Sequence, residues 1–358
     1  MNYPSDREIQ ASFKPQDSTA LTEIGLLRRA MPLADAFKGR LPLAKELQDI
    51  NLHFGMEIAQ SVFTLALDNI PSYSLYARAI RSFDLRTVSS DDFRKAASKF
   101  EVTILATTTG IRGQKDEHVE QWRTWARSLG FTTDVIHTTP NGDLRVNAQE
   151  ISRHLLSHPH PRRILITLGS GAAELRQLLT MRMGLRGVEG SGTGEAELSS
   201  LKLWINIAGA YNGSSYAQFI NDSFWQKFIR QFAAFTGQRT IEARARRMKQ
   251  LDPRLPAWRA APGFPEGLQV VNIVGLAARS EISEGIIASH DRISRTTGPN
   301  DGVVGLYESI AHPGFILPVP GLTHRMSPLR IEPILKRVLA SFVVDQMKAA
   351  TATRSPEL

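Results

Sequence analysis

Short apolar runs alternate with helical patterns from Phe100 onwards, and this alternation restricts the possible folds more than any other feature of the chain. Strands separated by helices of about 10 to 15 residues are typical of βαβ crossovers, which build a largely parallel sheet with helices on both faces. We therefore predict an α/β fold, in which ligands bind beyond the carboxyl ends of the strands. The runs predicted as strands are Val102–Ala106, Thr133–His137, Arg163–Leu168, Leu203–Ile207, Leu268–Leu276 and Gly314–Val319.

The first 99 residues have a different pattern, in which apolar residues recur at three-and-four spacing. This spacing predicts amphipathic helices. The region contains no motif with a chemical function, so we expect a helical cap or a packing layer on the domain that follows. The predicted helices are Ala20–Arg29, Leu43–Ile50, Gly55–Asn69, Ser72–Phe83 and Asp91–Lys99.

The chain carries a net charge of +8 and has no cysteine. The lack of cysteine excludes disulfides, thiol catalysis and cysteine-ligated metal sites. Seven basic and two acidic residues lie in Gln238–Arg259. No nucleic-acid motif accompanies them, so we expect a solvated, arginine-rich helix face and no nucleic-acid partner. Peripheral contact with an anionic surface stays open.

Targeting signals are not visible in the sequence. The opening MNYPSDREIQ lacks a basic start followed by an apolar stretch. No window approaches the roughly 20 apolar residues that span a bilayer. We therefore expect a cytoplasmic protein without a transmembrane segment.

Two local patterns superficially suggest cofactor or metal sites. The glycines within Gly187–Ser200 follow a helix and precede a strand, whereas phosphate binding needs the order strand, glycines, helix. His154 and His158 stand four apart, as zinc ligands on a helix do, but no acidic third ligand is close in sequence. We expect neither a cofactor nor a bound metal.

The most informative segment is Pro161–Met183, where a buried strand leads directly into the sequence Gly-Ser-Gly-Ala-Ala and then into a helix. A nucleophilic serine on a sharp strand-to-helix turn needs small neighbours, because its own backbone is strained and the helix must approach the strand closely. This pattern predicts Ser170 as a nucleophile. The Gly171 amide, at the helix start, would be free to donate to an oxyanion.

This segment resembles the Gly-x-Ser-x-Gly elbow of the α/β-hydrolase family, in particular of bacterial lipases and esterases. Leu168 and Ala172 stand where the family has glycine. The resemblance extends to the chain order of serine, acid and histidine, which implies Asp301 in GPNDGVVG as the acid and His324 in PGLTHRMS as the base. Asp291 and Glu308 are alternative acids.

Two further segments carry the resemblance. Thr109–Gly113 is similar to the family's oxyanion loop, which implies that the Ile111 amide joins that of Gly171 and that Gly110 permits the backbone turn. Tyr211–Pro265 resembles a helical lid insertion. The resemblance thus implies an α/β-hydrolase core over residues 100–350, with a mostly parallel sheet, an N-terminal helical region over 1–99, a lid over 211–265 and a tail over 351–358.

The activity implied by the resemblance is hydrolysis of a small-molecule carboxylic ester. Ser170 would attack the ester, His324 would transfer the proton, and water would then release the acid from an acyl-enzyme. Thioester hydrolysis and acyl transfer use the same groups and stay open. A non-catalytic binding protein of the same fold is a further alternative, because Leu168 and Thr109 depart from the family pattern.

Overall fold

The computed structural model describes residues 23–107, 117–139, 142–184, 195–222, 239–324 and 328–352. Its centre is a sheet of six parallel strands in the order β2-β1-β3-β4-β5-β6. The predicted fold class, a parallel sheet flanked by helices, is therefore confirmed. The strands are β1 Glu101–Thr107, β2 Thr132–Thr138, β3 Arg163–Leu168, β4 Leu201–Ile207, β5 Gln269–Leu276 and β6 Phe315–Pro320.

Strand β3 shows why these apolar runs form central strands. Ile164 and Ile166 face one apolar cluster, and Leu165, between them, faces another. Alternate side chains of a strand point to opposite faces, so a strand covered on both sides must be apolar throughout. Burying each of these side chains contributes about 1.5 to 3 kcal/mol.

Helices cover both faces of the sheet. One apolar cluster joins the strands to the helices within residues 71–97, 117–128 and 328–352, and the other joins them to the helices within 144–157 and 171–183. No helix in the described ranges combines the length and the apolar character needed to cross a membrane. The helices that follow β1 are α6 Glu117–Ser128, α7 Leu144–Ser157, α8 Gly171–Met183, α9 Glu195–Leu198, α10 Ser215–Asp222, α11 Arg239–Gln250, α12 Glu284–Thr297 and α13 Pro328–Ala352.

The N-terminal region packs as a helical layer near β5 and β6. Phe63 of α3 belongs to a cluster with Val274 of β5 and Ile316 of β6. Tyr76 of α4 stacks on Phe315, with 4.0 Å between the ring centroids. This layer therefore supports β5, which precedes the Asp301 loop, and β6, which leads into the His324 loop. Its helices are α1 Glu23–Asp35, α2 Ala44–Phe54, α3 Met56–Asp68, α4 Pro71–Ser82 and α5 Asp91–Ala97.

Helix α11 is attached to the core by a buried ion pair. The Arg247 guanidinium donates to the Glu174 carboxylate of α8, and both side chains are at most 4% exposed. Glu174 also accepts hydrogen bonds from Thr138 Oγ1 at 2.9 Å and Asn147 Nδ2 at 2.8 Å. The expectation of a solvated arginine face is therefore wrong for Arg247, whose partner lies 73 residues earlier in the chain.

Candidate active site

The loops that carry Asp301 and His324 lie against the carboxyl end of β5. A Cβ atom placed on Gly275 would lie 2.4 Å from the Leu322 carbonyl oxygen and 3.1 Å from Asp301 Cβ. Only glycine allows backbone and side chain to approach this closely. Gly275 therefore brings together two loops that are 23 residues apart in sequence.

The structure pairs His324 with Asp301. His324 Nδ1 lies 3.1 Å from Asp301 Oδ2, and the His324 backbone N–H donates to the Asp301 carbonyl at 2.9 Å. The Asp301 side chain is 3% exposed and the His324 side chain 30% exposed, so a ligand can reach the histidine but not the acid.

The other oxygen of Asp301 is held by its own loop. Asp301 Oδ1 accepts the backbone N–H of Val303 at 2.9 Å and that of Val304 at 2.7 Å. These two bonds fix the carboxylate and direct Oδ2 to His324. A neutral imidazole that donates from Nδ1 has an acceptor at Nε2, which is the form a general base requires.

The pKa of His324 is raised above its ordinary value. Burial acts in the opposite direction, because it disfavours the charged imidazolium. The negative charge of Asp301 and its hydrogen bond to the ring together outweigh burial. His324 is therefore a stronger base than an isolated histidine.

The two alternative acids bind other groups. The Glu308 carboxylate accepts the backbone N–H of Ser215 at 2.9 Å and that of Gly305 at 2.7 Å, and burial raises its pKa. Asp291 pairs with Arg279 at 2.9 Å. Neither carboxylate hydrogen bonds to His324 in the described structure, whereas that of Asp301 does.

Gly169 forms the sharp corner between β3 and α8. It is buried and its φ is +47°, in the left-handed region. A Cβ atom placed on it would lie 3.5 Å from His324 Cε1 and 3.6 Å from His324 Nε2. A side chain at position 169 would therefore contact the histidine, and glycine has none.

Ser170 lies one residue past this corner. Its φ of −70° and ψ of −13° are right-handed, and its side chain does not cap α8. No hydrogen bond joins Ser170 and His324 among the contacts of the described residues. The backbone strain that we predicted at Ser170 is therefore found at Gly169, whereas the role of Ser170 as nucleophile stays a prediction.

The start of α8 offers two free backbone amides. The N–H groups of Ser170 and Gly171 have no acceptor in the described structure, whereas those of Ala172 and Ala173 donate to the Gly169 and Ser170 carbonyls. Unpaired amides at a helix start favour a negatively charged oxygen. The other predicted oxyanion residues, Gly110 and Ile111, lie outside the described residues.

The end of β4 supports the corner. Ala208 has a φ of +44°, a left-handed conformation that costs a residue other than glycine about 1 to 2 kcal/mol. Two residues later, the Ala210 N–H donates to the Gly169 carbonyl at 2.8 Å, while the Gly169 N–H donates to Ile207 at 3.3 Å. Both backbone groups of the corner residue are thus held by the neighbouring strand end.

The strand order, the corner after a central strand, and the acid and histidine in loops that follow later in the chain together define the architecture. The chain has an α/β-hydrolase fold. A metagenomic carboxyl esterase is similar to it, with 16% identity, a TM-score of 0.46, and coverage of 70% of this chain and 76% of the esterase.

A lipase of Bacillus licheniformis is also similar. Its mature form has 15% identity and a TM-score of 0.44, with 68% of this chain and 92% of the lipase covered. Its propeptide form has 14% identity and a TM-score of 0.45, with 68% and 50% covered. No family model and no curated protein sequence matches the chain.

Sequence reasoning missed the position of the corner, although a signal for it was present. With Gly169 at the centre of the family pattern, the two small positions fall on Thr167 and Gly171. With Ser170 at the centre they fall on Leu168 and Ala172. The alignment centred on Gly169 avoids the bulky Leu168 at a position that needs a small residue. It also puts the left-handed residue at the central position.

Proposed function

We propose that this protein hydrolyses carboxylic esters and that the Asp301–His324 pair performs the proton transfers. The observation that carries the proposal is the hydrogen bond between His324 Nδ1 and Asp301 Oδ2, together with the position of Nε2 over the corner at Gly169. Nε2 would take a proton from the attacking oxygen, and Asp301 would stabilise the imidazolium that forms.

The amides at the start of α8 would complete the site. As the ester carbonyl is attacked, negative charge develops on its oxygen. The N–H groups of Ser170 and Gly171 lack other acceptors, and hydrogen bonds from fixed donors of this kind stabilise such an oxyanion. The Ile111 amide stays a predicted additional donor. Thioesters present the same carbonyl chemistry and are candidate substrates of the same site.

The test is hydrolysis of p-nitrophenyl esters of increasing acyl length by wild type, His324→Ala and Asp301→Asn. We expect the His324 variant to lose about 10²- to 10⁴-fold in kcat/KM, the range of general acid–base catalysis. The Asp301 variant should also lose activity, because its amide no longer fixes the tautomer of His324. Asp291→Asn is the matched control, since that carboxylate pairs with Arg279 and should be dispensable.

A His324→Ala protein that is folded by circular dichroism and as active as wild type would overturn the proposal. Equal losses in the Asp291 control would show that the assay reports general damage from a lost carboxylate. Melting temperatures of all variants separate loss of activity from loss of folding.

A second candidate function is binding of an ester or carboxylate without turnover. The observation that favours it is the glycine at the position that faces His324. The binding function predicts no turnover of any ester or thioester. It also predicts that fatty acid or ester ligands shift the His324 NMR signals in wild type. These ligands should bind more weakly to Ser170→Pro or Gly171→Pro, because each proline removes one backbone N–H.

A further inference from the structure

We propose that Gly169 determines the nucleophile of this site, so that water attacks the ester directly and no acyl-enzyme forms. This inference rests on the proposed function, because it requires His324 to act as the base. It assigns a role to a residue that has no side chain, and it differs from the Ser170 mechanism implied by the sequence resemblance.

The first observation is the backbone conformation of the corner. Of Leu168, Gly169 and Ser170, only Gly169 is left-handed, and hydrogen bonds to Ile207 and Ala210 hold both of its backbone groups. In a strand-to-helix elbow, the strained residue of the turn occupies the position of the nucleophile. The corner of the elbow is therefore Gly169, and Ser170 already belongs to the start of the helix.

The second observation is the space in front of His324. Among the described residues other than the neighbours Leu168 and Ser170, only His324 has atoms, two of its ring, within 4 Å of a Cβ atom placed on Gly169. At 3.5 Å and 3.6 Å, a side chain at position 169 would be in van der Waals contact with the His324 ring, and glycine supplies none, so no side chain at the corner can deliver a nucleophile to Nε2. The group that Nε2 deprotonates is then a water bound beside the ring.

The reaction then consumes one water and one ester. As the water oxygen bonds to the acyl carbon, its proton passes to His324 Nε2, and the carbonyl electron pair moves to the oxygen near the Ser170 and Gly171 amides. When the oxyanion collapses, the bond to the alcohol oxygen breaks and the leaving alcohol takes the proton from the imidazolium. The products are one acid and one alcohol, and the base is regenerated.

The experiment combines substitution at the corner with a fluorophosphonate probe, which labels an activated serine. Wild type should stay unlabelled and should release p-nitrophenol without a burst, while a serine esterase beside it reacts. Gly169→Ser puts a hydroxyl in front of His324 and should become labelled. The labelling should vanish in the double variant Gly169→Ser/His324→Ala.

Two matched variants distinguish the effect of a hydroxyl group from the effect of a changed backbone. Gly169→Ala introduces the same backbone strain and fills the same place without a hydroxyl, so it should stay unlabelled and lose hydrolysis on the order of 10²-fold, as expected for a displaced nucleophile. Ser170→Ala removes the hydroxyl but keeps the backbone amide, so its rate of ester hydrolysis should fall by less than about tenfold. Loss of a true serine nucleophile lowers the rate by about 10³-fold or more, and by on the order of 10⁶-fold at the extreme.

Each outcome of these experiments supports or contradicts attack by water. Labelling of wild type at Ser170, a burst, or loss of activity in Ser170→Ala on the 10³-fold scale would overturn the inference and leave the proposed ester hydrolysis intact. A wild type without turnover contradicts the water mechanism and the proposed function together. If the position 169 variants fail to fold, the wild-type labelling and Ser170→Ala still decide between serine and water.

Discussion

Gly275 determines how closely the acid loop and the histidine loop approach β5. Because Leu322 and Asp301 occupy the space where a side chain would begin, the residue contributes to the site without touching a substrate. Gly169 acts in a similar way at the corner after β3, where a side chain would contact the His324 ring. At both positions, the arrangement around His324 depends on the absence of a Cβ atom.

We predict that Gly275→Ala destabilises the protein by about 1 to 3 kcal/mol, because its Cβ would overlap the Leu322 carbonyl and force the two loops apart. Ester hydrolysis should fall as His324 separates from Asp301. Gly285→Ala is the matched control, since Gly285 is exposed on α12 and no described atom outside its neighbours and its own helix backbone lies within 4 Å of its Cβ position. Thermal unfolding and kcat/KM measure both effects, and equal stability of the two variants would contradict the close approach.

At the level of secondary structure, the sequence predicted the strands and most helices well because burial on both faces requires continuous apolar runs. Helix α13 is not among the predicted elements. Pro333 lies inside it, and a proline within a helical pattern predicts a helix end. Asp301 and His324 followed from their order in the chain. The corner residue did not, because a left-handed φ is a property of the backbone that adjacent glycines make ambiguous in sequence.

The Glu174–Arg247 pair was equally invisible in the sequence, because Arg247 is one of several arginines on a polar helix. We predict that Arg247→Gln costs about 3 to 5 kcal/mol of unfolding free energy, since it leaves the Glu174 carboxylate buried without its cation. Arg246→Gln, on the exposed face of the same helix, should change stability by less than about 0.5 kcal/mol. Urea unfolding of both variants makes the comparison, and equal stabilities would place Arg247 outside the core.

For the whole molecule, the positive charge predicts a preference for anionic substrates. Arg244 and Arg246 are exposed on α11, whereas Arg247 is structural and must be left intact in any test. If the α11 segment lies near the site entrance, kcat/KM for an anionic ester should exceed that for a neutral ester of equal length at low salt. The difference should shrink as salt screens charges beyond about 10 Å.

The variant that checks this carries Arg244→Gln and Arg246→Gln together, and the control carries Arg81→Gln on α4 and Arg153→Gln on α7 together, so that each removes two positive charges. All four arginines are exposed, so the comparison isolates position from net charge. If Arg244 and Arg246 attract anionic substrates to the site, the preference for the anionic ester should be smaller only in the α11 variant. A preference that is unchanged there would identify these arginines as a solvated helix face.

The pH dependence of kcat/KM in wild type and Asp301→Asn tests the central claim, that His324 is a base supported by Asp301. In wild type the rate should rise with pH through an apparent pKa above the ordinary histidine value of 6.5, because Nε2 must be unprotonated to accept a proton and Asp301 stabilises the protonated ring. The same shift implies that the pair's contribution to folding stability is complete below about pH 6.5 and is lost as pH rises through the pKa of folded His324.

Asp301→Asn removes the negative charge that raises the pKa of His324. Burial of the ring remains, and burial lowers the pKa of a histidine. The rising limb should therefore move to lower pH, and the plateau should fall by about 10²- to 10⁴-fold. Asp291→Asn should reproduce the wild-type profile. Profiles of wild type and Asp301→Asn that superimpose in both midpoint and plateau would contradict the assignment of His324 and Asp301 as the acid–base pair.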